Sequence, residues 1–195
     1  MKLQPGTPTN ALLDVSLILG PLCYLFLDTT YAVRGWWDAP TGAVHVVVAG
    51  IYALTALRLV AFARGRLQAL MLVVMVFGVV GNAGVGFDTI QVGLGGLDLY
   101  EQNGAANVLK VLGFFFPLTL LLAAVALRGR VPTWQPVLLG VGALLFPLAH
   151  VADIAWLAIV DAVLVVLALG YLFAVREDLA DDALPSDRTP AASTV

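Results

Sequence analysis

Between residues 136 and 175 the chain runs for 40 residues in which only His150, Asp153 and Asp161 carry strong polarity. As one helix that stretch would be about 60 Å long, twice the ~30 Å hydrocarbon core of a bilayer. It therefore reads as two membrane spans, 136–152 and 155–175, joined by a tight turn near Asp153. Four further apolar segments of spanning length precede it, at 11–33, 42–63, 69–92 and 105–127. The expected fold is all-α: a polytopic integral membrane protein whose residues 1–175 form a compact bundle of six transmembrane helices. The lipid bilayer is its first partner.

Composition agrees with that class. Hydrophobic residues make up 61% of the chain and charged residues 12%, half of the ~25% that a water-soluble domain uses to cover its surface. A single cysteine, Cys23, excludes an intramolecular disulfide, a CxxC redox pair and a multi-cysteine metal site. Basic residues form no block, which argues against nucleic acid as a partner. The first span has one lysine before it, an aspartate within it and no small-residue cleavage site after it, so a cleaved signal peptide is not expected. Residues 176–195 are acidic and rich in Pro, Ser and Thr, a composition that predicts a disordered tail.

Orientation follows from the basic residues. Six spans place Lys2, Arg58, Arg64, Arg66, Arg128, Arg130, Arg176 and Arg188 on one side and only Arg34 and Lys110 on the other. Cationic loops are retained in the cytoplasm, so both termini are expected on the cytoplasmic side of the cell membrane. Trp36, Trp37, Trp134 and Trp156 fall near span ends, where indole rings anchor at headgroup level.

The same topology sorts the remaining polarity. Asp28, Asp38, Asp88, Asp98, Glu101, Asp153 and Asp161 lie in the outer half or outer loops, as do His45 and His150. At 100° per residue, Gly78, Gly81, Asn82, Val85, Asp88 and Thr89 share one small, polar face of the third span. That face should point into the bundle, because small residues let helices approach and buried charge seeks partners. Asn107, Lys110, Gly113 and Pro117 share a face of the fourth span, and Lys110 is the one base at a depth to pair with Asp88. His150 and Asp153 are neighbours at i and i+3. Arg58, in the other half, is placed to snorkel to the surface.

Asp28, Asn82, Asp88, Asn107, Lys110 and Asp153 are thus the candidate ligand- or ion-binding residues. The leading functional reading is transport or binding of a small solute or cation entering from the outside. A second is a membrane-embedded metal or haem protein, an oxidoreductase among the options, with His45 and His150 as ligands for haem or a divalent metal. A third is an accessory subunit, completed by a homo-oligomer or membrane-complex partner. No catalytic residue emerges: GxSxG, HExxH and P-loop patterns are absent, and Ser16, the one serine in a span, lies at the opposite end from the histidines. Cysteines introduced at 36–38 and 98–103 should react with an impermeant reagent outside the cell, whereas those at 64–67 and 129–132 should not. Outside labelling at 64–67 would overturn the topology.

Overall fold

A computed structural model describes residues 6–176 and Leu179. Six long helices make up almost all of it: α1 (Pro8–Arg34), α2 (Ala39–Phe62), α3 (Gly65–Gly93), α4 (Asn107–Leu127), α5 (Trp134–Val151) and α6 (Ala155–Ala174). All six are long and apolar enough to cross a membrane, and the chain is a multi-pass membrane protein. A short 3-10 turn, Gly104–Ala106, leads into α4. Of the expected tail, Arg176 and Leu179 are described; the rest of 176–195 lies outside the described residues.

The helix ends have local causes. Thr7 caps α1 by accepting from the Asn10 amide, with Pro8 in the first turn, where its missing N–H costs nothing. Asp38 caps α2 through the Thr41 amide at 2.9 Å and forms an ion pair with Arg34 at 2.7 Å. That guanidinium, with the Thr41 bonds, holds the Asp38 carboxyl well below the usual carboxylate range. Between α5 and α6 the chain reverses at Asp153, whose φ of 52° is left-handed, a conformation that Asp tolerates better than most residues.

Each helix packs on its neighbours in sequence, and α6 returns to α1, closing the bundle. The surface shows what surrounds it. On α1, Leu12, Val15, Leu19, Leu22 and Phe26 are exposed while Leu13, Leu17, Tyr24, Leu27 and Tyr31 are buried. The exposed set follows helical spacing, as a lipid-facing stripe must. One face of the bundle carries the α1–α2, α3–α4 and α5–α6 connections and is called here the distal face. The opposite face carries the start of α1 and the end of α6.

Helix α3 sits closest to its neighbours. A Cβ added at Gly81 would lie 2.3 Å from the Leu112 carbonyl carbon of α4, and one at Gly42 would lie 2.8 Å from the Gly86 oxygen of α3. Only glycine permits these backbone approaches. Gly81→Ala should therefore lower stability by about 1–3 kcal/mol, the usual cost of overpacking. Gly50→Ala, on a helix face with nothing within 4 Å, should be neutral or stabilising by up to about 1 kcal/mol. Thermal melts of the two variants in detergent check the contrast.

Candidate functional site

Polar residues gather in the distal half of the bundle because α1, α2 and α3 each turn one polar stripe inward. On α1 the stripe is Tyr24, Asp28 and Tyr31, spaced i, i+4 and i+7. From α2 comes His45, and from α3 Asn82, Asp88 and Thr89, all buried. His45 is held at both ring nitrogens: Nδ1 lies 2.9 Å from the Tyr31 hydroxyl and Nε2 3.0 Å from Asn82 Oδ1. Since Asn82 Oδ1 only accepts, Nε2 carries the proton and Nδ1 accepts from Tyr31. Tyr24 donates to the same Asn82 oxygen.

His150 is the second centre. Its Nδ1 donates to the Phe146 carbonyl at 2.9 Å, and its Nε2 lies 3.2 Å from Asp28 Oδ1. Because a carbonyl cannot donate, Nδ1–H is fixed. The contact between Nε2 and a carboxylate oxygen then needs a proton of its own. Imidazole and carboxyl thus share one proton, whichever atom carries it. Asp28 is 1% exposed, so losing that proton would leave an uncompensated charge in the bundle.

Above these residues a cavity of about 440 Å³ opens towards the distal loops. Its walls include His45, Asn82, Thr89 and His150 below, Tyr31, Trp36, Trp37, Tyr100, Phe114 and Phe146 around, and Asp88, Asp98, Glu101, Asp153 and Lys110. Four carboxylates against one ammonium give the wall a formal charge of −3 with both imidazoles neutral. Pro117 and Pro147 also line it. Both break the backbone ladder of their helices where the cavity needs room. Beneath, Tyr24, Phe116 and Phe146 close the floor: Phe116 lies 5.1 Å from Tyr24 and 4.9 Å from Phe146, centroid to centroid.

The α3–α4 loop covers one side. Asp88 Oδ1 accepts the Leu99 amide at 2.8 Å, and Asp98 Oδ1 accepts the Tyr100 amide at 2.8 Å. Burial, reinforced by the charges of Asp88 and Asp98, holds the Tyr100 phenol well above its ordinary range, so it stays a hydroxyl. Burial likewise pushes the Asp153 carboxyl up, against an opposing pull from His150.

Several sequence expectations are corrected by this geometry. Asp88 is not paired with Lys110: its carboxylate pins the loop, and Lys110 Nζ donates to the Gln102 carbonyl at 3.0 Å. His150 turns to Asp28, not to its helical neighbour Asp153. Asp153 instead offers its backbone carbonyl to the Trp36 indole N–H at 3.1 Å. Trp36 is therefore no simple headgroup anchor; it stacks on Tyr31 at 5.1 Å and meets the His150 ring edge-on at 5.4 Å. Asn107 is exposed at the start of α4 and is not part of the cavity wall. Arg58 does not snorkel freely: it ion-pairs with Asp14 at 2.6 Å.

As metal or haem ligands, His45 and His150 fit poorly. All four ring nitrogens point at protein oxygens. Among the described residues no three His, Cys, Asp or Glu side chains come together to hold a metal ion. The residues that sequence reasoning passed over are Tyr24, Tyr31 and Tyr100. Counted as apolar, Tyr24 and Tyr31 nevertheless share a helix face with Asp28, and Tyr100 follows Asp98 by two residues in the α3–α4 loop; that is the available signal.

Protein-family models, curated proteins and solved structures contain no match to this chain. Asp28→Leu should destabilise by about 3–5 kcal/mol, as expected when one member of a buried charged pair is removed. Combining it with His150→Phe should lose less than the sum of the two single changes, by roughly 0.5–3 kcal/mol for side chains in contact. Unfolding of the four proteins under one detergent condition checks it. Additivity would show that the bond carries no coupling.

Proposed function

We propose that the chain is a cell-membrane protein with both termini in the cytoplasm, and that its distal cavity binds a small organic cation from the outside as the binding step of transport. The orientation rests on the eight-to-two division of basic residues. What carries the ligand class is the combination of wall chemistry and size. A volume of about 440 Å³ falls in the range of small-molecule sites, roughly 300–1,000 Å³. Its excess of carboxylates concentrates cations in a low-dielectric cleft. Its rings, Tyr31, Trp36, Trp37, Tyr100, Phe114 and Phe146, offer the π-faces that stabilise an alkylammonium.

A hydrated metal cation would find the carboxylates but would gain little from six aromatic rings, so an amine or quaternary ammonium suits the wall better. The aromatic floor separates this cavity from the cytoplasmic half, as the outward-facing state of a carrier requires. Passage through would need Tyr24, Phe116 and Phe146 to part. Prolines in α4 and α5 beside that floor provide places where the helices can bend.

Protonation sets the sign of the pH dependence. A carboxyl raised by burial, as Asp153 is, stays protonated further into mild acid than an ordinary aspartate. It becomes an attractive anion only as pH rises. Affinity for choline or tetramethylammonium should therefore increase between about pH 5 and pH 8. Affinity should also fall as ionic strength rises. At a concentration near 100 Kd, a true ligand stabilises the protein by about 2.7 kcal/mol, a clear shift in thermal unfolding. Asp153→Asn should flatten the pH trend, and a Trp37→Ala variant should bind more weakly at every pH. A protein whose melting ignores ammonium compounds but loses stability when purified alone would favour the accessory-subunit reading instead.

A further inference from the structure

Beneath the aromatic floor lies a second, smaller cavity of about 20 Å³, lined by Tyr52 of α2 and Asp161 of α6 among apolar side chains. Both residues are 2% exposed. Asp161 Oδ2 and the Tyr52 hydroxyl have no hydrogen-bond partner among the described residues, and neither does Asp28 Oδ2. Three orphaned polar atoms in the interior of a membrane bundle demand an explanation, because each unsatisfied group costs free energy. By volume the space would hold one water molecule, for which ~10–15 Å³ suffices, with Tyr24, Tyr52 and Asp161 on an otherwise apolar wall.

Chemistry limits what else the site could hold. A sodium ion would want five or six oxygens, and the lining offers a carboxylate, the Tyr52 hydroxyl and a Tyr24 hydroxyl already donated to Asn82. No base forms an ion pair with Asp161 among the described residues. A bare carboxylate there would be an unpaired charge at depth. The groups that face it are Asp28 and Tyr24 from α1, Tyr52 from α2 and His150 from α5; α4 contributes Phe116 and Leu120. The charges of Asp28 and His150 both act on Asp161.

We propose that Asp161 holds an exchangeable proton, bridged to Tyr52 by one water, and that the bundle gives up this proton when a cation occupies the larger cavity. The exchange rests on the cation-binding reading above; the proton site stands without it. Before binding, the cluster is protonated His150, ionised Asp28 and neutral Asp161, with no net charge. A monovalent cation entering above places a positive charge beside this cluster and so favours loss of the Asp161 proton. The Asp161 O–H bond breaks, its electron pair stays on the carboxylate, and the proton leaves to water. Of His150, Asp28, Asp161 and Tyr52, His150 alone lines the larger cavity, and its charge acts on Asp161, so it is where a bound cation meets the cluster. Phe146 borders both cavities and stacks on His150 with centroids 4.0 Å apart. A cation that moves Phe146 therefore disturbs both sites at once. By linkage, a proton that weakens cation binding must itself be released by the cation.

Two measurements on the full-length protein in nanodiscs test this. Infrared spectra should show the C=O stretch of a protonated carboxyl in the wild type, absent in Asp161→Asn and shifted to higher frequency in Tyr52→Phe, which removes a bridging partner without touching the carboxyl. In weak buffer with a pH-sensitive dye, tetramethylammonium should release about one proton per cation bound. Asp161→Asn should still bind it but release almost none. A carboxyl band unchanged in both variants would overturn the proton site. Wild-type binding without proton release would overturn the exchange while leaving the cation reading intact. A failure of tetramethylammonium, choline and alkylammonium ions to bind at all would overturn the cation reading and the exchange together, with the infrared band still deciding the proton site.

Discussion

A bilayer offers no water to the groups it surrounds, so every polar side chain between the headgroups must find its partner inside the protein or face a cavity that water can reach. The contact between His150 and Asp28 shows how far this constraint shapes the bundle. It joins α5 to α1 across the interior at 3.2 Å, and the fixed Nδ1–H to the Phe146 carbonyl leaves the pair one shared proton as its stable condition. The His45 cluster solves the same problem with neutral groups, two tyrosines and an asparagine around one imidazole. The Asp88 carboxylate solves it with a backbone amide from its own loop. These three centres are thus matched by different means, and together the matches fix how α1, α2, α3 and α5 are rotated about their axes.

Close packing of α3 follows from the same pressure. Helices in lipid gain little from burying leucine against leucine, since hydrocarbon is as good a neighbour. What favours association is backbone approach and internal hydrogen bonding. Gly42, Gly78, Gly81 and Gly86 supply the first, and Asn82, Asp88 and Thr89 on the adjoining stripe supply the second. The small residues set α3 against α2 and α4, and the polar stripe between them is thereby delivered to the cavity.

That division explains what the sequence could reveal. Helix number, approximate ends and the turn at Asp153 follow from apolar length, which the bilayer thickness enforces. The inward stripe of α3 follows from angular position alone. Partners do not, because contacts between helices depend on relative rotation and height, and contacts with loops depend on how the loop folds back. Asp88 and Lys110 lie at similar depth, yet the loop between them intervenes: residue 99 reaches Asp88 and residue 102 reaches Lys110. His150 and Asp153 are neighbours on an ideal helix, but the helix ends at Val151 and the left-handed turn at Asp153 parts them. The tyrosines escaped notice for another reason. A phenol counts as apolar in a hydropathy profile, although its hydroxyl is what satisfies His45, and the three in question were visible only as companions of an aspartate.

The two ends of the bundle meet the constraint in opposite ways, and the contrast bears on function. Towards the end where α1 begins and α6 ends, Asp14 is clamped by Arg58 at 2.6 Å and Arg176 at 3.5 Å, with Asn10 completing the set. Arg58 lies over the Phe62 ring at 4.8 Å. Here the carboxylate meets two bases in direct ion pairs, which ties α1, α2 and the end of α6 together. At the distal end the acids outnumber the bases. Arg34 is already bound by Asp38, and Lys110 is left to face Asp88, Asp98, Glu101 and Asp153 across the cavity. A structural role would be served by pairing each carboxylate with a base, as Asp14 is paired at the other end. Keeping four carboxylates short of counter-charge, beside aromatic faces and above a buried proton-binding cluster, costs stability that a purely structural bundle has no reason to give up. The imbalance has a use if the missing positive charge arrives with a ligand.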